Sequence, residues 1–176
     1  TAAWTAGGNA GNAPLNLYVG THEWNGSTWS AVNNMIAGRN QHAGDGKVNT
    51  GIVAGGAPAA NTVEEYNGST WASGTNLIAA KYAAGYGGDQ GAFFVAVGYP
   101  ATPTEEYNGI SWNTAAIAGR GPYPAAGSTE VQSTGTPSAG LLIGGTNPAY
   151  QSMTEEFAGA GIRKVYVTCA LTGSQA

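Results

Sequence analysis

Apolar residues along this chain come in short runs of four to eight, and the runs end in glycine rather than recurring with the 3.6-residue period of a helix. Clear examples occupy residues 50–56, 92–99 and 139–145, and the first and last of them close on paired glycines. Runs of this length, rich in β-branched and aromatic residues and bounded by glycine, predict strands. The pattern therefore predicts an all-β protein in which helix is nearly absent.

An eight-residue phrase follows these runs along the chain. It reads His-Glu-Trp-Asn-Gly-Ser-Thr-Trp at 22–29, Glu-Glu-Tyr-Asn-Gly-Ser-Thr-Trp at 64–71 and Glu-Glu-Tyr-Asn-Gly-Ile-Ser-Trp at 105–112. A degenerate fourth copy at 154–161 has lost its final tryptophan. Because Asn-Gly between strand-forming segments is a strong hairpin signal, each phrase predicts a strand, a tight turn and a second strand.

Alignment of the copies divides the chain into repeated units that form one array over residues 1–176. The units span approximately 1–34, 35–76, 77–116 and 117–171, with a tail at 172–176. Four short strands in a repeat of about 40 to 50 residues are typical of a blade of a β-propeller. We therefore expect a propeller-type array of about four four-stranded blades. The first blade should be incomplete, because nothing precedes its glycine-ended strand.

The strand count leaves the closure of this array open. The units supply fifteen strands, whereas four complete blades would need sixteen. Either the ring closes with one incomplete blade, or further residues or neighbouring chains supply the rest. The chain begins at Thr1 without a methionine, so we expect a processed product or a fragment of something longer.

The same residues carry a resemblance to a known repeat. An apolar strand closing on Gly-Gly, a glutamate-aromatic strand and then a tryptophan are similar to the kelch motif, over nearly the whole chain. The aromatic-to-tryptophan spacing of five residues is tighter than in ordinary kelch repeats. Thr-Glu-Glu-Tyr-Asn-Gly-x-x-Trp resembles most the kelch-like repeats of phage and marine bacterial surface proteins. The resemblance implies a propeller and a surface or particle-associated role.

Residues that recur in every unit are interpreted as packing residues, because packing is what every unit shares. Aromatic rings bury large areas, and the alanine-rich strands cannot supply that burial. We therefore expect the phrase aromatics to fill the space between blades: Trp24, Trp29, Tyr66, Trp71, Tyr107, Trp112 and Phe157.

The paired glutamates also recur, and a carboxylate between blades needs a partner. A cation stands at one point of each of three units, in Ile-Ala-Gly-Arg or Ile-Ala-Ala-Lys. We predict that these cations pair with the second glutamate of the phrase. The cations are Arg39, Lys81 and Arg120, and the glutamates are Glu65, Glu106 and Glu156. A catalytic or metal-binding role is disfavoured because adjacent strand residues face apart.

Composition narrows the partners. Charged residues make up 9% of the chain and the net charge is −4, which argues against nucleic-acid binding. No apolar run reaches the length of a membrane span, so no membrane insertion is expected. Cys169 is the single cysteine and is expected to pack on a strand. Low charge with abundant Gly, Ala, Thr and Asn suits a virion surface or an extracellular location.

Functional residues are expected where the repeat fails and in the loops. His22 and His42 are the two histidines, and no catalytic set, metal site or cofactor is predicted from them. Loop aromatics near Asn and Gln suit stacking on a sugar, so the candidate binding residues are Tyr86, Tyr99, Tyr123 and Tyr150.

Three function classes follow. The first is a non-enzymatic structural or receptor-binding module on a phage virion or bacterial surface, in a homo-oligomer or a larger particle. The alternative is a secreted lectin-like protein that binds a cell-surface glycan. The third is an extracellular hydrolase or oxidase fragment.

Overall fold

A computed structural model describes residues 2–9, 11, 16–100, 103–115, 131–146 and 154–157. Within these residues the chain forms fourteen short strands and no helix, so the all-β prediction is confirmed. The strands are β1 Ala3–Ala6, β2 Thr21–Trp24, β3 Trp29–Val32, β4 Ala43–Asp45, β5 Gly51–Ala54, β6 Val63–Tyr66, β7 Trp71–Ser73, β8 Gly85–Asp89, β9 Ala92–Ala96, β10 Glu105–Tyr107, β11 Trp112–Thr114, β12 Gln132–Thr136, β13 Ala139–Ile143 and β14 Thr154–Phe157.

The strands form four antiparallel sheets, and the strands of each sheet come from one repeat unit. The first sheet has the order β1-β2-β3, the second β4-β5-β6-β7, the third β8-β9-β10-β11 and the fourth β12-β13-β14. Two sheets are complete four-stranded blades. In the first sheet the described residues supply three strands, and none of them precedes β1. The architecture is therefore a propeller-type array.

The Asn-Gly turns form as predicted. In the turn after β6, the side-chain oxygen of Asn67 accepts hydrogen bonds from the backbone N–H groups of Ser69 and Thr70, both within 2.9 Å. Gly68 adopts a φ of +89°, which favours glycine at this position. The turns at Asn25 and Asn108 make the same bonds. The three Asn-Gly turns therefore share one hydrogen-bond pattern.

The phrase aromatics of the second and third sheets pack against the sheet that precedes each of them. Tyr66 and Trp71 lie 4.9 Å apart between ring centroids, and the Trp4 ring of the first sheet meets Trp71 edge-on. Tyr107 and Trp112 repeat the pair at 5.0 Å against buried residues of the second sheet. The predicted role of these rings between blades is observed here.

The first sheet departs from that prediction. Trp24 and Trp29 contact each other, but Trp29 is 51% exposed. The reason is positional: these rings pack against a preceding sheet, and no sheet precedes the first among the described residues. Phe157 lies opposite Gly140 in the β13–β14 pair, the register position that Tyr66 holds opposite Gly51.

Three strands, β4, β8 and β12, lie side by side along one edge of the array, and we call them the inner strands. Glycine makes this approach possible, since a Cβ on Gly87 would lie 2.6 Å from the carbonyl oxygen of Gly135. A Cβ on Gly85 would lie 2.9 Å from the Leu142 side chain. Among the described residues, the first sheet contains no strand equivalent to these three.

Candidate functional site

Two of the three recurring cations, Arg39 and Lys81, are buried within their own units. Arg39 is 4% exposed, and its Nη2 donates to Glu64 Oε1 at 2.5 Å. Its Nη1 donates to the carbonyl oxygens of Gly55 and Thr62. The Glu64 carboxylate also accepts the backbone N–H groups at positions 36 and 37. A buried charge needs this number of partners to be tolerated.

The third sheet repeats the arrangement with lysine. Lys81 Nζ lies 2.9 Å from Glu105 Oε1 and donates to the carbonyl oxygen of Pro103 at 2.6 Å. The Glu105 carboxylate accepts the backbone N–H groups of Ile78 and Ala79. Burial lowers the pKa of Lys81, and the hydrogen bond and charge of Glu105 oppose that shift.

These contacts correct the predicted pairing. Arg39 and Lys81 pair with the first glutamate of each phrase, Glu64 and Glu105, and the prediction of Glu65 and Glu106 as partners is wrong. The segment before each cation donates two backbone N–H groups to the same carboxylate that binds the cation. The first glutamate of the phrase therefore has enough hydrogen-bond partners to be buried. Arg120 lies outside the described residues, and Glu156 is exposed.

The second glutamate instead joins neighbouring sheets. Tyr66 donates its hydroxyl to Glu23 at 2.6 Å, and Tyr107 donates to Glu65 at 3.0 Å. Burial and the facing carboxylate raise the pKa of both tyrosines. Glu106 holds the same position in the third sheet, and burial raises its pKa. The aromatic of the following phrase is Phe157, which has no hydroxyl.

Two cavities lie beside the inner strands and share two side chains, His42 and Tyr86. The edge cavity, about 350 Å³, runs along residues 2–6 and is closed by β4 and its turn. The inner cavity, about 250 Å³, is lined by polar groups of Gln41, Gln132 and Ser133 and by small apolar residues. Together they place aromatic, amide, imidazole and hydroxyl groups at one place on the array.

His42 stands between the two cavities. Burial is the main cause that lowers its pKa to about 4; the nearby Arg39 charge acts in the same direction, and a hydrogen bond with the Ala6 backbone acts in the opposite one. Its Nδ1 is buried and has no hydrogen-bond partner among the described residues. The imidazole is therefore neutral at pH 7, and its Nδ1 lies between two cavities whose described lining residues include no lysine or arginine.

Tyr86 is the candidate binding residue that reaches both cavities. Its backbone N–H and carbonyl both bond to the hydroxyl of Ser133, which fixes β8 against β12. Burial and the Asp45 charge raise the pKa of its phenol. Tyr99 is 50% exposed, and its ring contacts the Tyr82 ring in a tilted arrangement with 5.4 Å between centroids, outside the lining of both cavities.

The candidates Tyr123 and Tyr150 lie outside the described residues. Sequence reasoning did not select Trp4, Gln41, Gln132 or Ser133 as site residues. The available signal was their position: three of them belong to the segment that precedes the glycine-ended strand, the segment that becomes the inner strand. Gln132 and Ser133 lie on β12 and Gln41 lies just before β4, whereas the sequence pattern favours binding residues in loops.

No protein-family model matches the chain, and comparison with curated protein sequences finds no relative. Across the described ranges, no three His, Cys, Asp or Glu side chains are grouped as metal ligands would be. The same residues contain no helix that is long and apolar enough to cross a membrane.

Proposed function

We propose that this protein is a non-enzymatic structural or receptor-binding module of a phage virion or bacterial surface. The observation that supports it is the use of the recurring charges. Glu64 with Arg39 and Glu105 with Lys81 form buried ion pairs inside the scaffold, and Glu23 and Glu65 accept hydrogen bonds from tyrosines of neighbouring sheets. Acid-base chemistry needs a titratable group open to substrate, and these groups are engaged elsewhere.

The sequence pattern supports the surface role. The phrase resembles kelch-like repeats of phage and marine bacterial surface proteins, and 9% charged residues on a glycine-rich array suit a displayed module. Assembly as a homo-oligomer or within a larger particle is part of the same proposal. An array that presents one edge of inner strands can offer the cavities beside them to a receptor.

A lectin-like role is the second candidate, and the inner cavity favours it. Amide groups of Gln41 and Gln132 there can bond sugar hydroxyls while the Tyr86 ring stacks on an apolar sugar face. No lysine or arginine is among the described residues that line this cavity, so the chemistry fits a neutral saccharide better than an anionic one.

The test presents the full chain to an array of bacterial envelope polysaccharides and membrane proteins. The proposal expects retention on an envelope component that is recovered with unchanged mass. Hydrolysis or oxidation of the bound component would refute the non-enzymatic reading, and retention on none would refute the receptor-binding reading. The structural role is tested separately by measuring the mass of the native assembly, which is expected to be that of a homo-oligomer or a larger particle.

Variants separate the two candidates. Gln132→Ala should weaken retention at least tenfold if a sugar occupies the inner cavity, because a bidentate amide contact is lost. Asn113→Ala removes an exposed amide of β11 outside the cavity and serves as the matched control. Equal retention by both variants would refute the lectin reading and leave a protein receptor.

A further inference from the structure

The turn between β10 and β11 is the feature from which we argue, and the turn between β6 and β7 is its closest match. Both place an exposed asparagine directly before a glycine, at Asn108-Gly109 and at Asn67-Gly68. In both, the asparagine Oδ1 accepts two backbone N–H groups of its own turn within 3.0 Å. The two turns therefore share their backbone hydrogen bonds, and any difference between them lies elsewhere.

Each of these turns is also held by one hydrogen bond from the preceding unit. Asn33 donates its Nδ2 to the carbonyl oxygen of Ser69 at 2.8 Å. Thr75 donates its Oγ1 to the carbonyl oxygen of Ile110 at 3.0 Å. Because the bonded residue directly follows the glycine in both turns, this contact does not distinguish the two asparagines.

The side-chain amide nitrogen of the asparagine is where the turns differ. Asn67 donates its Nδ2 to the hydroxyl of Thr70 at 3.2 Å, and the first phrase repeats this bond at Asn25. The third phrase has Ser111 at the threonine position, and no acceptor among the described residues holds the Nδ2 of Asn108. Threonine is stiff at χ1, whereas serine has no branch at Cβ to restrict its hydroxyl. The carboxamide of Asn108 is therefore held by its oxygen alone.

A carboxamide held in this way is open to attack by the next backbone nitrogen. The N–H of Gly109 makes no hydrogen bond among the described residues, and Gly109 carries no Cβ that would obstruct the approach. Rotation of the Asn108 side chain brings its Cγ to that nitrogen, and the two bonds to Oδ1 oppose the rotation. In Asn67 the same rotation must also break the bond from Nδ2 to Thr70.

We propose that Asn108 is a site of spontaneous deamidation and that Asn67 is protected from it. The backbone nitrogen of Gly109 forms a bond to Cγ of Asn108, and Nδ2 leaves as ammonia, which takes up the proton that the backbone nitrogen loses. Water then opens the resulting succinimide at one of its two carbonyl carbons and yields aspartate or isoaspartate. The inference goes beyond the proposed function, because it concerns a covalent change of the scaffold and no ligand.

The modification would change how two neighbouring turns meet. A Cβ on Gly109 would lie 3.4 Å from the carbonyl oxygen of Gly91, so this turn contacts the turn between β8 and β9. That turn already carries a carboxylate, because Asp89 accepts the N–H of Gly91 at 2.9 Å. Deamidation adds a second negative charge beside it, and isoaspartate also lengthens the backbone of the β10–β11 hairpin by a methylene group. Both changes weaken the contact between the two turns.

The test incubates the full chain at mildly alkaline pH and follows the peptides that contain Asn67 and Asn108 by proteolytic mapping and mass spectrometry. Conversion at Asn108 is expected to be about fivefold faster, the factor that corresponds to one hydrogen bond. The matched control is the same incubation in concentrated urea, where the two rates should be equal because glycine follows both residues. Equal conversion in the folded chain, or the same inequality in urea, would overturn the proposal.

Reciprocal variants assign the difference to one hydroxyl group. Thr70→Ser should raise the conversion of Asn67 to the rate of Asn108, and Ser111→Thr should lower that of Asn108 to the rate of Asn67. The unchanged turn in each variant is the internal control. If neither exchange alters the conversion, the proposal is wrong. None of these measurements involves a receptor or a sugar, so their outcome is independent of the proposed function.

Discussion

At the scale of single residues, adjacent glutamates on one strand have different roles. Glu64 and Glu105 are buried, bonded to backbone N–H groups and paired with a cation, whereas Glu65 reaches the tyrosine of the next sheet. Strand alternation separates the two faces, but both faces of a middle sheet are covered. The sequence therefore indicates that both carboxylates need partners without showing which partner each one takes.

The neighbours Glu105 and Glu106 allow a direct comparison. Glu105→Gln should lower the free energy of unfolding by about 3–5 kcal/mol, because it leaves the Lys81 ammonium buried without its counter-charge. Glu106→Gln should leave stability unchanged or slightly higher, since burial disfavours the charge on Glu106. Urea unfolding at pH 7 measures both, and equal losses would contradict the assignment.

His42 should make stability depend on pH. Its folded pKa of about 4 lies below the ordinary 6.5, so the unfolded chain binds more protons between those values. Stability is therefore lost as pH falls from about 6.5 to 4, by roughly 3 kcal/mol from this group. His42→Asn should remove that part of the pH dependence in thermal unfolding.

The same substitution at the other histidine, His22→Asn, is the matched control for His42. It should retain the loss of stability between pH 6.5 and 4. A pH dependence that is the same in the native chain and in His42→Asn would contradict the burial of the neutral imidazole.

At the scale of elements, the strands and the Asn-Gly turns follow from the sequence because three copies of one phrase could be compared. The turn residue Asn67 bonds its own loop, so local sequence is sufficient to specify it. The sequence pattern also predicts the segments that form the inner strands, but it does not predict that these strands line the two cavities. That role depends on how close neighbouring sheets approach, and the glycines at 85 and 87 indicate it only once the sheets are placed together.

At the scale of the whole molecule, each sheet contacts its neighbours through a small set of repeated bonds. The exposed Trp29 shows the limit of sequence prediction here: the phrase identifies a packing residue, yet burial requires a preceding sheet. Arrays in which contacts join only neighbours have stabilities that are close to a sum of unit and junction terms.

Junction bonds in this array should therefore act independently. Tyr66→Phe and Tyr107→Phe each leave a carboxylate, Glu23 or Glu65, without its hydroxyl donor, and each should cost about 1.5–3 kcal/mol. Because the two junctions share no partner, the double variant should show the sum to within about 0.5 kcal/mol. Chemical unfolding of the four proteins checks this, and strong non-additivity would contradict it.

The ion pairs of Arg39 with Glu64 and of Lys81 with Glu105 each lie inside one unit. The hydrogen bonds that cross between units among the described residues have uncharged donors, such as the Tyr66 and Tyr107 hydroxyls and the Trp71 indole N–H. Duplication or loss of one whole unit would therefore carry both members of its ion pair together and would strand no buried cation. Adding or removing whole units therefore leaves every described buried ion pair intact. A break inside a unit would instead separate a buried cation from its carboxylate.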